Sequence, residues 1–300
     1  MWGRRLGGVL AVIVALAAAV AVLAGRDLSP DVPDAPLVPT RGATRLVSLA
    51  PEITEILFAL DAGDDLVGRS ALCQTPEEAL ELPAMGTAAA PDLEALRKAG
   101  PTRIVVTPVG DETKDQLEGI APVTVLRLGT PDRLVGAVHV LGRLTGHVAE
   151  AVDLATRLTD ALTPTVTEAS PRVVVALGVD DIAKGEVWYL DPQTLHGRAL
   201  LAAGLQHAAD PTTVGRPVMS VEELVERDPD LILVWTSETR PLAPERLAEL
   251  VGAFAEVEGL RAARAGHVGV VAGPETFAQG PGIAAFVDAM RAEADSLMAR

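Results

Sequence analysis

Residues 45–57 have the sequence RLVSLAPEITEIL, an apolar segment that passes directly into an amphipathic one. Pro51 stands where a helix begins, and proline is favoured in the first turn of a helix. A second helix is predicted from Asp92 to Gly100, because Gly100 is a typical helix end, and an apolar strand follows over residues 103–107. This alternation of strands and helices predicts an α/β fold.

The helix-then-strand segment recurs in the second half of the chain. Ser220 begins a Ser-x-x-Glu capping box, and an apolar strand is predicted over residues 229–234. A shift of 128 residues brings Glu94 onto Glu222 (222 − 94 = 128), together with the strand that follows. The general succession of helices and strands could also produce this likeness. We favour the other interpretation, two similar α/β lobes at residues 44–130 and 169–300.

The segment between the lobes, residues 131–168, is predicted to be a connecting helix. Apolar residues recur there at helical spacing from Leu134 to Leu162, without any proline until Pro164. Either one long, rigid helix joins the lobes, or two nearly continuous helices are broken near Gly146. A last helix is predicted over residues 284–297, with an inner face formed by Phe286, Val287, Met290 and Ala294. Asp191-Pro192 is predicted to start an earlier helix, ahead of Leu195.

The N-terminus has the pattern of an export or anchoring segment. Arg4 and Arg5 precede an uncharged apolar run over residues 6–25, and about 20 such residues suffice to cross a bilayer. Residues 1–25 are therefore predicted to be a signal peptide or an N-terminal membrane anchor, and the two remain open. Residues 26–43, with prolines at a period of three, are predicted to be a stiff linker. The remainder is expected to be extracytoplasmic, in the periplasm or on the outer face of the membrane.

Composition excludes several classes of function. A net charge of −16 repels phosphate backbones, so we expect no nucleic-acid partner and contact with the membrane only through residues 1–25. A single cysteine, Cys73, excludes an internal disulfide framework and a cysteine-rich metal cluster. Nucleotide-binding, hydrolase and metalloprotease motifs are absent, so no catalytic residue, cofactor or metal site is predicted. The histidines are scattered, at positions 139, 147, 196, 207 and 267.

Several segments, taken in order, resemble the substrate-binding proteins of ABC importers that have a helical backbone, the class that captures cobalamin, ferric siderophores and haem. The resemblance covers residue 44 to the C-terminus. It implies two lobes with a ligand cleft between them, no enzymatic activity, and an ABC permease and a small-molecule or metal-chelate ligand as partners. The segments that carry it are residues 45–55, 66–70, 83–86, 91–94, 220–224 and 229–232.

Ligands of open α/β lobes bind beyond the carboxyl ends of strands and at helix N-termini, which locates the candidate contacts. Aromatic rings are few, and planar ligands favour them, so Trp235 is the leading candidate. A ring beside a strand is, however, more often a packing residue. The arginines are candidates for an anionic ligand. The complete set of candidates is Pro51, Glu52, Arg69, Thr87, Thr107, Trp188, Tyr189, Arg216, Trp235 and Phe277.

The resemblance also implies contacts with the permease. Receptors of this class carry an acidic residue on top of each lobe that pairs with permease arginines, and Glu94 and Glu222 match those positions. A glutamate in the first turn of a helix is also favoured by the helix dipole alone, by about 0.3–1 kcal/mol.

The chain departs from the cobalamin receptors at two positions. Where those proteins tend to have aromatic rings, this chain has Ala88 and Thr107, which speaks against cobalamin as the particular ligand. The alternatives to a transport receptor are a membrane-tethered sensor or interaction module and, less favoured, an exported enzyme.

Overall fold

The computed structural model describes residues 44–210 and 217–299. The predicted leader and linker, residues 1–43, and Arg216 therefore lie outside the described residues. In the described part, apolar strands alternate with amphipathic helices as the sequence predicts. None of those helices combines the length and the apolarity that crossing a bilayer requires.

The first lobe is built on a parallel four-stranded sheet with the strand order β2-β1-β3-β4. Helices and one-turn 3-10 segments connect the strands. The strands are β1 (Leu46–Ser48), β2 (Leu66–Gly68), β3 (Arg103–Val106) and β4 (Val123–Val125), and the helices are α1 (Pro51–Ala59), α2 (Leu93–Ala99) and α3 (Asp111–Glu118).

A helical hairpin follows the first lobe, formed by α4 (Pro131–Thr145) and α5 (Val148–Ala161). The structure thus contains two helices and not the single long helix. The break falls at Gly146, whose positive φ of 85° ends α4 in the left-handed region that glycine adopts without strain. The chain then turns back, so that the start of α4 and the end of α5 line one cavity. A Cβ at Gly142 would collide with Ala151, so the close approach of the two helices requires glycine there.

The second lobe repeats the first. Its parallel sheet has the order β7-β5-β9-β10. When the strands of each parallel sheet are numbered from one to four along the chain, both sheets have the order 2-1-3-4. Strands β6 and β8 form a separate antiparallel pair. The strands are β5 (Arg172–Leu177), β6 (Glu186–Trp188), β7 (Gln206–His207), β8 (Val218–Ser220), β9 (Leu231–Thr236) and β10 (Val268–Ala272). The helices are α6 (Leu195–Ala202), α7 (Val221–Arg227), α8 (Pro244–Ala255), α9 (Arg261–Arg264) and α10 (Ile283–Met298).

Helix caps show the repeat most clearly. The Asp92 carboxylate accepts from the backbone N–H groups of Glu94 and Ala95 at the start of α2, and the Ser220 hydroxyl accepts from Glu223 at the start of α7. Both helices have seven residues and end in a left-handed residue, Gly100 or Asp228. All of these positions are related by the same 128-residue shift. The predicted fold class, two similar α/β lobes, is confirmed.

One predicted helix start is wrong. Helix α6 begins at Leu195 and is capped by Thr194, whose hydroxyl oxygen accepts from the N–H of Gly197 at 3.1 Å. Asp191 instead accepts from the N–H of Gln193 at 2.8 Å, which closes a turn ahead of the helix. The last helix, α10, buries the predicted inner face formed by Phe286, Val287, Met290 and Ala294.

The core passes through both lobes. A single cluster of buried side chains includes Leu46 of β1, Val138 of α4, Leu158 of α5, Leu233 of β9 and Phe286 of α10. The hairpin packs on α1 of the first lobe and on α6 and α10 of the second. Two smaller clusters cover the outer faces of the two sheets. The hairpin therefore holds both sheets with their carboxyl ends fixed relative to one another.

Candidate functional site

In the first lobe, the turn from β1 into α1 is fixed by two buried hydroxyl groups. The Ser48 hydroxyl donates to the carbonyl oxygen of Ala50 at 2.9 Å, and the Thr54 hydroxyl donates to the Ser48 oxygen at 2.9 Å. Neither side chain is exposed to solvent. These bonds hold the N-terminal turn of α1, with Pro51 and Glu52, at the carboxyl end of the sheet.

Two glutamates of α1 are largely removed from water. Burial raises the pKa of Glu52 above its ordinary value. Burial also raises the pKa of Glu55, an effect that the nearby Glu52 reinforces, whereas a hydrogen bond from Thr75 opposes it. In that bond the Thr75 hydroxyl donates to Glu55 Oε1 at 2.7 Å. The first-lobe wall of the cleft is therefore acidic. Glu52 is one of the predicted contacts, whereas Glu55 is not.

The three other first-lobe candidates lie on loops beyond the strands. Arg69 donates from Nη1 to the carbonyl oxygen of Ser70 at 2.9 Å, while its buried Nε has no hydrogen-bond partner in the described part of the chain. The Thr87 hydroxyl accepts from the N–H of Ala90 at 3.0 Å and closes a tight turn. Thr107 follows β3 and is half-buried. Of the three, only Arg69 carries a charge, and its unpartnered Nε is buried away from solvent.

In the second lobe, a cluster of rings lies beyond β9 and β10. Trp235 is only 7% exposed and donates from Nε1 to the Thr276 hydroxyl at 2.8 Å. Phe277 stacks on it at 4.0 Å between ring centroids, with an interplanar angle of 18°, and is 39% exposed. His196 and Phe286 pack against Trp235 from the buried side. Phe277 thus presents a ring face outward, and Trp235 supports it from below.

Two other second-lobe candidates lie at the end of β6 and directly after it. Trp188 ends β6 and is half-buried. Tyr189 is 4% exposed and belongs to the outer core of the second lobe, because its backbone pairs with Ala176 of β5 and turns the ring into that core. Arg216 lies outside the described residues.

Glu94 and Glu222 occupy equivalent positions. Each is the second residue of its helix, α2 or α7, and each is exposed. Neither carboxylate has an ion pair or a hydrogen bond to another described residue. Both are therefore free to meet a partner's cation.

A cavity of about 410 Å³ lies away from these candidates, between the start of α4, the end of α5 and helix α6. None of the predicted site residues lines it. Within the part of the chain that the structure describes, no group of three or more His, Cys, Asp or Glu side chains could hold a metal ion.

His196 belongs to the ring cluster although the sequence analysis did not select it. The residue is 7% exposed, and burial lowers its pKa from the ordinary value of 6.5 to about 4. Its Nε2 has no hydrogen-bond partner among the described residues. The only signal in the sequence was its place in the first turn of α6, which does not distinguish a buried histidine from a solvated one.

The depressed pKa of His196 predicts a pH-dependent stability. Between pH 6.5 and 4 the unfolded chain binds a proton that the folded chain does not, so acidification through this range lowers the free energy of unfolding. We expect the loss to be about 2 kcal/mol at pH 5. Urea unfolding at pH 7 and pH 5, compared between the protein and His196→Phe, measures it. Other groups, including His207, titrate in both proteins, so their contributions cancel when the two pH dependences are subtracted. Equal pH dependence in the two would contradict the prediction.

Three comparisons with known proteins agree with this architecture. A model of the periplasmic binding protein family matches residues 46–273. The vitamin B12-binding protein of Pectobacterium atrosepticum is 24% identical over 202 residues, which cover 63% of this chain and 71% of that protein. The cobalamin-binding protein of Halobacterium salinarum is 30% identical over 212 residues, which cover 65% of this chain and 55% of that protein. The chain therefore spans little more than half the length of the second relative.

Solved structures share the two-lobed fold. The periplasmic vitamin B12-binding protein of Vibrio cholerae has a TM-score of 0.66 at 20% identity, and the match covers 86% of this chain and 99% of that one. The periplasmic haem-binding protein of the same organism has a TM-score of 0.65 at 23% identity, with 86% and 100% covered. With the family model matched from β1 to the end of β10, this chain belongs to the periplasmic binding protein family.

Proposed function

We propose that the chain is the extracytoplasmic substrate-binding component of an ABC importer, which captures a small molecule or metal chelate between its lobes and delivers it to a membrane permease. The observation that carries this proposal is the stacked pair of Trp235 and Phe277, which offers a supported ring face beyond the carboxyl ends of β9 and β10. Membership of the periplasmic binding protein family supports the same role.

The ligand class follows from the apolar side chains exposed near the carboxyl ends of the strands. Leu72 follows β2 and is 64% exposed, Leu177 ends β5 and is 40% exposed, and Phe277 is 39% exposed. Each follows or ends a parallel strand, on the side of the sheet where ligands of open α/β lobes bind. A ligand with a broad apolar or conjugated face fits them, and cobalamin, haem and ferric siderophores are of this kind. The relatives named for vitamin B12 and haem support this class.

Within that class, the residues of the first lobe favour a ligand that stacks on an aromatic ring on one side only. Ala88 and Thr107 bring no ring to the first lobe, and among the described residues Phe277 of the second lobe is the exposed ring proposed to stack on the ligand. Arg69 is the proposed contact for an anionic group, because its half-buried guanidinium follows β2 and forms one described side-chain hydrogen bond, from Nη1 to Ser70. Pro51, Glu52 and Thr87 are proposed to line the same wall.

The chain is proposed to be exported and to deliver its ligand outside the cytoplasmic membrane. Residues 1–25 serve as a signal peptide or membrane anchor, residues 26–43 as a linker, residues 44–130 and 169–300 as the two lobes, and residues 131–168 as their connector. Glu94 and Glu222 are proposed to dock on permease arginines, because both carboxylates are exposed and without partners among the described residues. We propose no catalytic step.

Binding to a panel of probes tests the proposed ligand class. Cyanocobalamin, haemin and a ferric siderophore are titrated into the purified full chain, and tryptophan fluorescence and native mass spectrometry report binding. We expect one probe to quench the fluorescence with a Kd of about 1 μM or tighter, since a supported aromatic contact and a pre-formed cleft keep the cost of ordering small. Failure of all three to bind would contradict the ligand class.

A transport assay separates the receptor from a tethered sensor. Cells that depend on this protein and its permease for uptake of the bound probe should accumulate it, and deletion of either gene should stop the accumulation. Binding without permease-dependent uptake would favour the sensor.

A further inference from the structure

The carboxylate of Glu55 is held in one orientation by the first lobe. Thr75, in the loop that follows β2, donates its hydroxyl proton to Oε1 at 2.7 Å. That bond leaves the second oxygen, Oε2, directed away from the loop. Glu55 lies on α1, whose N-terminal turn is itself fixed by the buried Ser48 and Thr54 hydroxyls.

The second lobe lies directly against this oxygen. A Cβ atom added to Gly280 would lie 2.8 Å from Glu55 Oε2 and 3.2 Å from the carbonyl oxygen of Glu52. Cβ atoms essentially never approach other atoms as closely as the first of these distances, so a side chain at residue 280 would displace the Glu55 carboxylate from its present position. A Cβ on Gly282 would be 4.0 Å from the same Oε2. Glu55 therefore spans the cleft and contacts the loop that leads into α10.

That loop also carries the exposed ring. Phe277 lies three residues before Gly280, and its neighbour Thr276 accepts a hydrogen bond from Trp235 Nε1 and donates one to the carbonyl oxygen of Gly273 at 2.7 Å. The start of the loop is thus hydrogen-bonded to the second-lobe core, and its end packs against the Glu55 carboxylate of the first lobe. Phe277 lies between the two attachments.

We infer that Glu55 is a positioning residue for ligand binding, which acts through Gly280 to fix the loop that presents Phe277. The inference rests on the proposed function, since Phe277 is the proposed ligand contact. The groups that face the carboxylate are Glu52 on its own helix and the Thr75 hydroxyl and the Cys73 thiol on the neighbouring loop. Burial raises the pKa of Glu55, whereas the hydrogen bond from Thr75 opposes that rise.

Paired variants test the inference in the full chain. Glu55→Ala, Thr75→Val and Gly280→Ala each remove one part of the contact, whereas Glu55→Gln and Thr75→Ser keep the hydrogen bond. Gly252→Ala is the matched glycine control, because a Cβ at that site meets no atom within 4 Å. Hydrogen exchange of the backbone amides over residues 276–283 reports the loop, and titration with haemin and cyanocobalamin reports binding.

We expect amide exchange in the loop to be about 10-fold faster in Glu55→Ala, Thr75→Val and Gly280→Ala, with wild-type exchange in the two conservative variants and the control. The probe that binds the wild type should bind those three variants about 10-fold more weakly, because the ring is no longer pre-positioned. Thermal unfolding identifies any variant that fails to fold.

Unchanged exchange in the three disruptive variants, or equal loss of binding in Glu55→Gln and Glu55→Ala, would overturn the positioning role. The exchange measurement needs no ligand. If no probe binds the wild type but exchange follows the expected pattern, the contact between Glu55 and the loop stands while the proposed ligand class fails.

Discussion

We expect Trp235→Ala to lower the free energy of unfolding by about 3–5 kcal/mol, the usual cost of deleting a large aromatic side chain from a core. Trp235 is 7% exposed, and its ring contacts Phe277, Phe286 and His196. The substitution also removes the Nε1–H group that donates a hydrogen bond to the Thr276 hydroxyl. A decrease in Tm of about 10 °C should accompany the change, and urea or thermal unfolding at neutral pH measures it.

Phe277→Ala is the matched control on the same ring stack. Phe277 is 39% exposed and supports nothing above it, so we expect a loss of stability of only about 1 kcal/mol. Its effect on the affinity of the bound probe should be larger, about 10- to 100-fold. A smaller loss of stability in Trp235→Ala than in Phe277→Ala would contradict the assignment of Trp235 as the supporting ring and Phe277 as the exposed one.

The second large effect concerns delivery. We expect the double variant Glu94→Arg with Glu222→Arg to reduce uptake to the level seen without the permease, while the affinity for the probe stays within about 2-fold of the wild type. Both carboxylates are exposed and without partners among the described residues, so their reversal leaves the fold intact. Uptake of the bound probe into cells and its affinity for the purified protein are measured side by side.

Two other glutamates provide a control for charge alone. Glu112 of α3 and Glu245 of α8 are also exposed second residues of helices, one in each lobe. Glu112→Arg with Glu245→Arg therefore makes the same change in net charge and in helix-dipole energy at other places on the surface. Uptake should persist in this control. Equal loss in both double variants would attribute the effect to net charge and reject docking through Glu94 and Glu222.

Sequence could predict those parts of the fold that depend on neighbouring residues. The caps at Asp92 and Ser220 and the ends at Gly100 and Asp228 depend on a few consecutive residues, and the helices that they bound agree with the prediction. The likeness of the two lobes was predicted from the repeated helix-then-strand segment, whereas the strand order that they share was not predicted. The inner face of α10 was equally visible as a helical period.

Other features depend on residues far apart in the chain, and the sequence could not reveal them. Gly146 predicted a break, but the reversal of direction there depends on packing such as that between Gly142 and Ala151. Trp235 and Phe277 were both candidates, yet only the structure separates the buried ring from the exposed one. Glu55 and Gly280 are separated by most of the chain, and no local pattern relates them.

The buried cluster shared by the two lobes has a consequence for how the molecule responds to its ligand. The largest buried cluster belongs to both lobes, since it joins side chains of the hairpin with side chains of each sheet. Removal of one lobe would expose the facing half of that cluster to water. We therefore expect the two lobes to unfold together. A ligand that contacts even one wall of the cleft therefore protects the entire body from unfolding and from proteases.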